Sequence, residues 1–117
     1  MCGIFGAVSS KNIQSNLIAG LQKLEYRGYD SSGLSIFNGR NKIQRLRRAG
    51  KIKELKKDLS RSKLAGLCGI AHTRWATHGE PILKNSHPHN SSCVSIVHNG
   101  IIENSCLLYT SDAADDM

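Results

Sequence analysis

The sequence predicts an α+β chain in which two amphipathic helices accompany several short strands. Three observations predict it. Ile13, Leu17, Leu21 and Leu24 recur at helical spacing, and so do Ile52, Leu55 and Leu59. Short apolar runs bounded by glycine or polar residues stand at 2–8, 67–75 and 93–98. Asn38-Gly39 sits between two alternating runs, the pattern of a hairpin.

Residues 2–8, CGIFGAV, suit a buried strand. Ser9 or Ser10 is placed to cap the helix that follows, which the spacing predicts over 11–25. Gly28, within YRGYDSSG, ends it by supplying the backbone conformation of a helix end. Leu34 and Ile36 alternate on the next strand, Asn38-Gly39 makes a two-residue turn, and the return strand covers about 41–48. A second helix is predicted over 51–60, with Lys51, Lys53, Lys56 and Lys57 mostly off its apolar face. Strands at 67–75 and 93–98 flank a polar stretch, THGEPILKNSHPHNSS, that reads as a loop.

With 117 residues, 39% of them hydrophobic and 21% charged, the chain has room for one folded domain. No apolar run approaches the roughly 20 residues that span a bilayer, and MCGIFGAVSS lacks the basic start of a secretory signal. Membrane association is not expected. The net charge is +7, yet the segment from Arg40 to Lys63 alone carries +9 and the remainder −2. Charge so confined, with only six aromatic residues in the chain, reads as a solvated surface rather than a nucleic-acid track. Cys2, Cys68, Cys93 and Cys106 form no CxxC pair and read as reduced thiols of a cytoplasmic protein. After Asn104 the text SCLLYTSDAADDM continues no earlier pattern, so 105–117 reads as an unrelated tail or scar.

Several residues are equipped for chemistry. Removal of Met1 leaves Cys2 with a thiol and a free α-amine, a nucleophile beside its own base. The bland alternative is a small apolar residue opening a strand. His98-Asn99-Gly100 follows an apolar run, where an Asn amide and a Gly N–H can face one developing oxyanion; an ordinary Asn-Gly turn is the alternative. Arg74 offers a planar fork suited to a carboxylate, and Trp75 a wall for a pocket. The five histidines, His72, His78, His87, His89 and His98, match no metal-ligand spacing, and neither metal nor cofactor is expected. Together these parts suit acyl transfer from an amino-acid amide.

Five motifs in this order, MCGIFG, LEYRGYDSSG, AHTRWATHG, HPH and HNGIIEN, resemble the N-terminal glutaminase domain of the glucosamine-6-phosphate synthase family over residues 1–104. The resemblance implies a four-layer αββα sandwich of the N-terminal-nucleophile hydrolase type, incomplete here at the C-terminus. It implies that Cys2 attacks the side-chain amide of L-glutamine and that Asn99 and Gly100 form the oxyanion hole. It also implies that Arg74 holds the substrate carboxylate, that Trp75, Thr77 and His78 line the glutamine pocket, and that His87 lies in a substrate-binding loop near it. In the whole family enzyme, a homo-oligomer, ammonia goes on to a sugar isomerase domain that converts fructose 6-phosphate to glucosamine 6-phosphate. That domain, and a downstream Asp that grips the substrate amine, have no counterpart in this text, so the isolated chain is expected to be inactive. The amidophosphoribosyltransferase and asparagine synthetase families share the glutaminase step, and a small basic nucleic-acid-binding module is a further alternative. The wording HTRWATHG and HNGIIEN favours the sugar family.

Overall fold

Two strands rich in small residues, β2 (Ser31–Phe37) and β4 (Cys68–Arg74), form the middle of a four-stranded antiparallel sheet. β1 (Gly3–Val8) lies outside β4, and β3 (Ile43–Ala49) lies outside β2. The computed structural model describes residues 2–40, 42–75, 80, 82–91 and 93–100.

Strand alternation sorts the sheet into an apolar and a polar face. Phe5, Ala7, Leu34, Ile36, Leu46 and Ala71 pack toward two helices, α1 (Gln14–Lys23) and α2 (Ile52–Arg61). Leu17 and Leu21 of α1 and Ile52 and Leu55 of α2 are fully buried there. Close approach needs Gly69, where a Cβ would stand 2.8 Å from both Ile13 Cδ1 and Leu17 Cδ1.

The other face of the sheet is polar. Register sets Gly33 opposite both His72 and Arg47, and Ser35 opposite Arg45. Residues 86–90 and a two-stranded sheet, β5 (His89–Asn90) with β6 (Ser95–Ile96), run over this face. Arg47 Nη1 donates to the Ser86 carbonyl at 2.8 Å, and Arg45 Nη1 to the Pro88 carbonyl at 3.3 Å. Ser95 Oγ donates to Ser35 Oγ at 2.7 Å. A Cβ on Gly33 would overlap the His87 carbonyl, so only glycine admits the segment this close. Helices, sheet and ribbon make three stacked layers among the described residues, an α+β arrangement.

Local details differ from the sequence reading. The first helix starts at Gln14, because Ser9 N–H and Ile13 N–H bond the Leu67 and Gly66 carbonyls and hold 9–13 irregular beside β4. Neither Ser9 nor Ser10 caps it; Asn12 Oδ1 accepts the Gln14 N–H at 3.2 Å. The Asn38-Gly39 hairpin forms, with Gly39 at φ +81°, but Phe37 pairs with Ile43, so its loop is 38–42 rather than two residues. The expected 77–92 loop contains a short 3₁₀ turn, Leu83–Asn85, and β5. The expected strand 93–98 is reduced to β6, because Val97–Asn99 leave the ribbon toward His72. Part of the basic segment does more than coat the surface: Arg45 and Arg47 tie down residues 86–88, and Arg48 pairs with Asp58 at 2.9 Å. Residues 105–117 lie outside the described residues.

Candidate active site

Register brings the candidate nucleophile to the end of β4. Gly3 pairs with Thr73, so the residue before Gly3 meets the residues after Thr73. Cys2 is half-buried there as a free thiol. The Trp75 peptide N–H donates to Cys2 Sγ at 3.4 Å, and Sγ lies 3.7 Å from the Trp75 carbonyl oxygen. The indole is half exposed, with its ring against Gly28, where φ is +79° and a Cβ would meet Trp75 Cζ3 at 3.3 Å.

Asn99 arrives from the other layer. Its Nδ2 donates to the Cys2 carbonyl at 3.3 Å, and its Oδ1 accepts from His72 Nε2 at 2.9 Å. His72 Nε2 also lies 3.2 Å from the His98 carbonyl oxygen. Gly100 follows at φ +126°, a conformation that side-chain-bearing residues rarely adopt.

His72 is fully buried on the polar face of the sheet. Burial lowers its pKa, outweighing the hydrogen bonds to Asn99 and His98 that raise it. Its ring stacks on His87, with centroids 4.2 Å apart, and His87 meets His89 edge-on at 4.4 Å. The His87 pKa is lowered to about 3, chiefly by burial and then by the neighbouring His72, His89, Arg74 and His98. Among the described residues no group of three or more His, Cys, Asp or Glu is placed to hold a metal ion.

Arg74, on the same face as His72, is buried and donates Nη1 to the Glu80 carbonyl at 3.0 Å. Its own carbonyl accepts the Asp30 N–H at 2.7 Å, joining the end of β4 to the start of β2. The structure thus gathers Cys2, Trp75 and Asn99 at one end of the sheet, with Gly100 following Asn99. His87 touches His72, one ring removed from Asn99. Thr77 and His78 lie outside the described residues. Sequence reasoning missed two contributors: the Trp75 backbone, and His72, which it weighed only among metal ligands. The available signal for His72 was its position two residues before Arg74 on a strand of alternating faces.

A free thiol beside a fixed amide donor is an arrangement suited to attack on a carbonyl carbon. No protein-family model matches the chain. Over 104 residues it is 56% identical to the glutamine–fructose-6-phosphate aminotransferase [isomerizing] of Haemophilus influenzae, a match covering 89% of this chain and 17% of that protein. The protein of the same name from Buchnera aphidicola subsp. Acyrthosiphon pisum is 55% identical over 92% of this chain and 18% of its own length. That of Pseudomonas aeruginosa is 56% identical over 89% and 17% respectively. The chain therefore spans less than a fifth of the curated relatives it matches. Among solved structures it is similar to the glutamine phosphoribosylpyrophosphate amidotransferase of B. subtilis complexed with ADP and GMP, with TM-score 0.63 and 26% identity over 76% of this chain and 18% of that one. A structure of the allosteric regulatory enzyme of purine biosynthesis gives TM-score 0.65 and 27% identity over 76% and 19%. The architecture is the α+β fold of the N-terminal-nucleophile amidotransferases. Fold and sequence agree: about nine-tenths of the chain is similar to a part of the isomerizing glutamine–fructose-6-phosphate aminotransferases, in the fold of an amidotransferase.

Proposed function

We propose that this chain carries the nucleophile side of a glutaminase site that releases ammonia from L-glutamine for transfer to fructose 6-phosphate. The observation that carries the reading is the convergence of Cys2 Sγ, the Trp75 N–H and the Asn99 amide. Identities of 52–58% with the curated relatives support the sugar-directed enzyme over the purine amidotransferase, whose solved structures stand at 26–27%.

Loss of Met1 gives Cys2 a free α-amine with a pKa of about 8, partly neutral at physiological pH. The neutral amine takes the Sγ proton, directly or through one water. Sulfur bonds to the side-chain carbonyl carbon of glutamine, and the electron pair moves onto oxygen. Asn99 Nδ2 and the Gly100 N–H donate to that oxyanion. When the carbonyl re-forms, the C–N bond breaks and the ammonium proton passes to the leaving nitrogen, giving ammonia and a γ-glutamyl thioester. Water, deprotonated by the same amine, hydrolyses the thioester to glutamate, and the proton returns to the thiolate.

Arg74 holds the substrate α-carboxylate in this reading, while Trp75, Thr77 and His78 line the pocket and His87 lies in a substrate-binding loop near it. Residues 1–104 carry the glutaminase part, and 105–117 stand outside it. The whole protein is a cytoplasmic homo-oligomer in which a separate isomerase part consumes the ammonia. No helix among the described residues is long and apolar enough to cross a membrane.

The test uses a full-length enzyme carrying these residues. Mass spectrometry should find Cys2 at its N-terminus, and retained Met1 in active enzyme overturns the role of the amine. Cys2→Ala should abolish glutamine-dependent product and labelling by a glutamine-mimicking electrophile, while product formation from added ammonia persists. Glutamine-dependent turnover by Cys2→Ala removes the proposal.

A further inference from the structure

The Asn99 side chain has two ways to sit, and they are chemically opposite. In one, nitrogen faces Cys2 and oxygen faces His72; in the other they exchange. Only the first presents a donor to an oxyanion formed at Cys2. The amide's own shape does not choose between them.

His72 makes the choice. Its Nε2 is shared between the His98 carbonyl oxygen at 3.2 Å and Asn99 Oδ1 at 2.9 Å. A backbone carbonyl only accepts, so Nε2 carries the proton. A proton there requires an acceptor on Asn99, and that places Oδ1 against His72 and Nδ2 toward Cys2. A flipped amide would set N–H against N–H at His72, and oxygen against the Cys2 carbonyl oxygen that Nδ2 now meets at 3.3 Å. Both contacts would turn from attractive to repulsive.

Surroundings keep the ring in this state. His72 is fully buried, so it cannot exchange these partners for water. The His87 ring covers one face at 4.2 Å and restrains rotation of the imidazole. Nδ1 is buried and without a partner among the described residues, which fits its being the unprotonated nitrogen.

We infer that His72 is a positioning residue for the glutaminase reaction, fixing the Asn99 amide so that its N–H, not its oxygen, faces the oxyanion at Cys2. The inference rests on the oxyanion role proposed for Asn99 and adds the group that orients it.

The test is a set of variants in a full-length enzyme carrying this segment, assayed for glutamine hydrolysis and for Cys2 alkylation by iodoacetamide. His72→Leu keeps an apolar side chain but no donor. It should lower kcat by about tenfold to a hundredfold, bounded by the loss from deleting an oxyanion donor. The glutamine KM and the alkylation rate should stay within about threefold, which a general loss of structure would not allow. His72→Gln restores an N–H near the Nε2 position and should recover most of the lost kcat. Adding His72→Leu to Asn99→Ala should cost nothing further, because the amide being oriented is gone.

A near-parental kcat in His72→Leu, or a further loss in the double variant, overturns the inference. Should His72→Leu lose its alkylation as well, the glutamine variant decides alone. Near-parental kcat then supports the donor role, and a hundredfold fall with intact alkylation overturns it. A silent Asn99→Ala removes the oxyanion reading itself, and this inference with it. A damaging Asn99→Ala beside a silent His72→Leu removes only the positioning role.

Discussion

The Trp75 N–H points at the Cys2 sulfur from 3.4 Å away, a relation created by the β1–β4 ladder. That ladder runs unbroken from Gly3↔Thr73 to Val8↔Cys68. The candidate nucleophile is thus placed by a strand rather than by a flexible arm. Gly3 lets the strand end sit close to the helical layer: a Cβ there would stand 2.8 Å from Leu24 Cδ1 and 3.1 Å from Thr73 Oγ1. Sulfur is a weak acceptor, so the Trp75 contact aims the thiol while the backbone ladder holds it.

Asn99→Ala should lower kcat for glutamine hydrolysis by about 10²–10³-fold and change KM less. A donor engaged mainly in the transition state affects the chemical step more than binding. Steady-state kinetics in a full-length enzyme check this, and a kcat close to parental takes Asn99 out of the oxyanion role.

Arg74→Lys should raise the glutamine KM by about tenfold, although the charge is kept. A point ammonium does not reproduce a two-pronged carboxylate contact. Arg74 also donates to the Glu80 carbonyl, so the measurement separates two roles. An unchanged KM leaves Arg74 as the residue that holds this backbone against β4, with no part in substrate binding.

The helical layer was legible because burying one face imposes a period on the sequence: Leu17 and Leu21, then Ile52, Leu55 and Leu59, all reach the core. Cys2, Asn99 and Gly100 could be singled out as candidates because each pairs its chemistry with an immediate neighbour in the chain. His72 was not. Its partner Asn99 is distant in sequence, and the two meet only because β6 ends early and the chain crosses the polar face. β5 escaped notice for a related reason. Its two residues pair through backbone groups, and His89 and Asn90 carry no alternation to announce a strand.

Gly20 shows how packing reverses a local preference. Within α1, alanine is favoured over glycine by about 1 kcal/mol on helix propensity alone. Yet a Cβ on Gly20 would enter the space of the Phe5 ring, which packs against the core from β1. Displacing that ring disturbs the sheet–helix contact, and overpacking of this kind costs about 1–3 kcal/mol. Gly20→Ala should therefore be net destabilising. Urea unfolding of a protein carrying these residues would show a lowered midpoint, and an unchanged or raised midpoint defeats the argument.

Acid should weaken the layer contact through the histidine stack. The His87 pKa is lowered from 6.5 to about 3, chiefly by burial, and burial also lowers those of His72 and His89. Unfolded, each ring returns to its ordinary value. Between about pH 6.5 and pH 3 the unfolded chain then binds more protons than the folded one, so stability falls as pH falls through this window and is fully present above it. His87 is half-buried, and solvent screening makes the effect smaller than the shift alone suggests. His87→Gln removes one of the rings that must stay neutral. Urea midpoints measured from pH 7.5 down to about pH 4 should fall in the parent and fall less steeply in the variant. The slope is the readout, because the substitution also alters packing against His72 and so shifts stability at every pH. Equal slopes would mean that the folded protein protonates His87 as readily as the unfolded chain does, and that the stack contributes nothing to the acid limb.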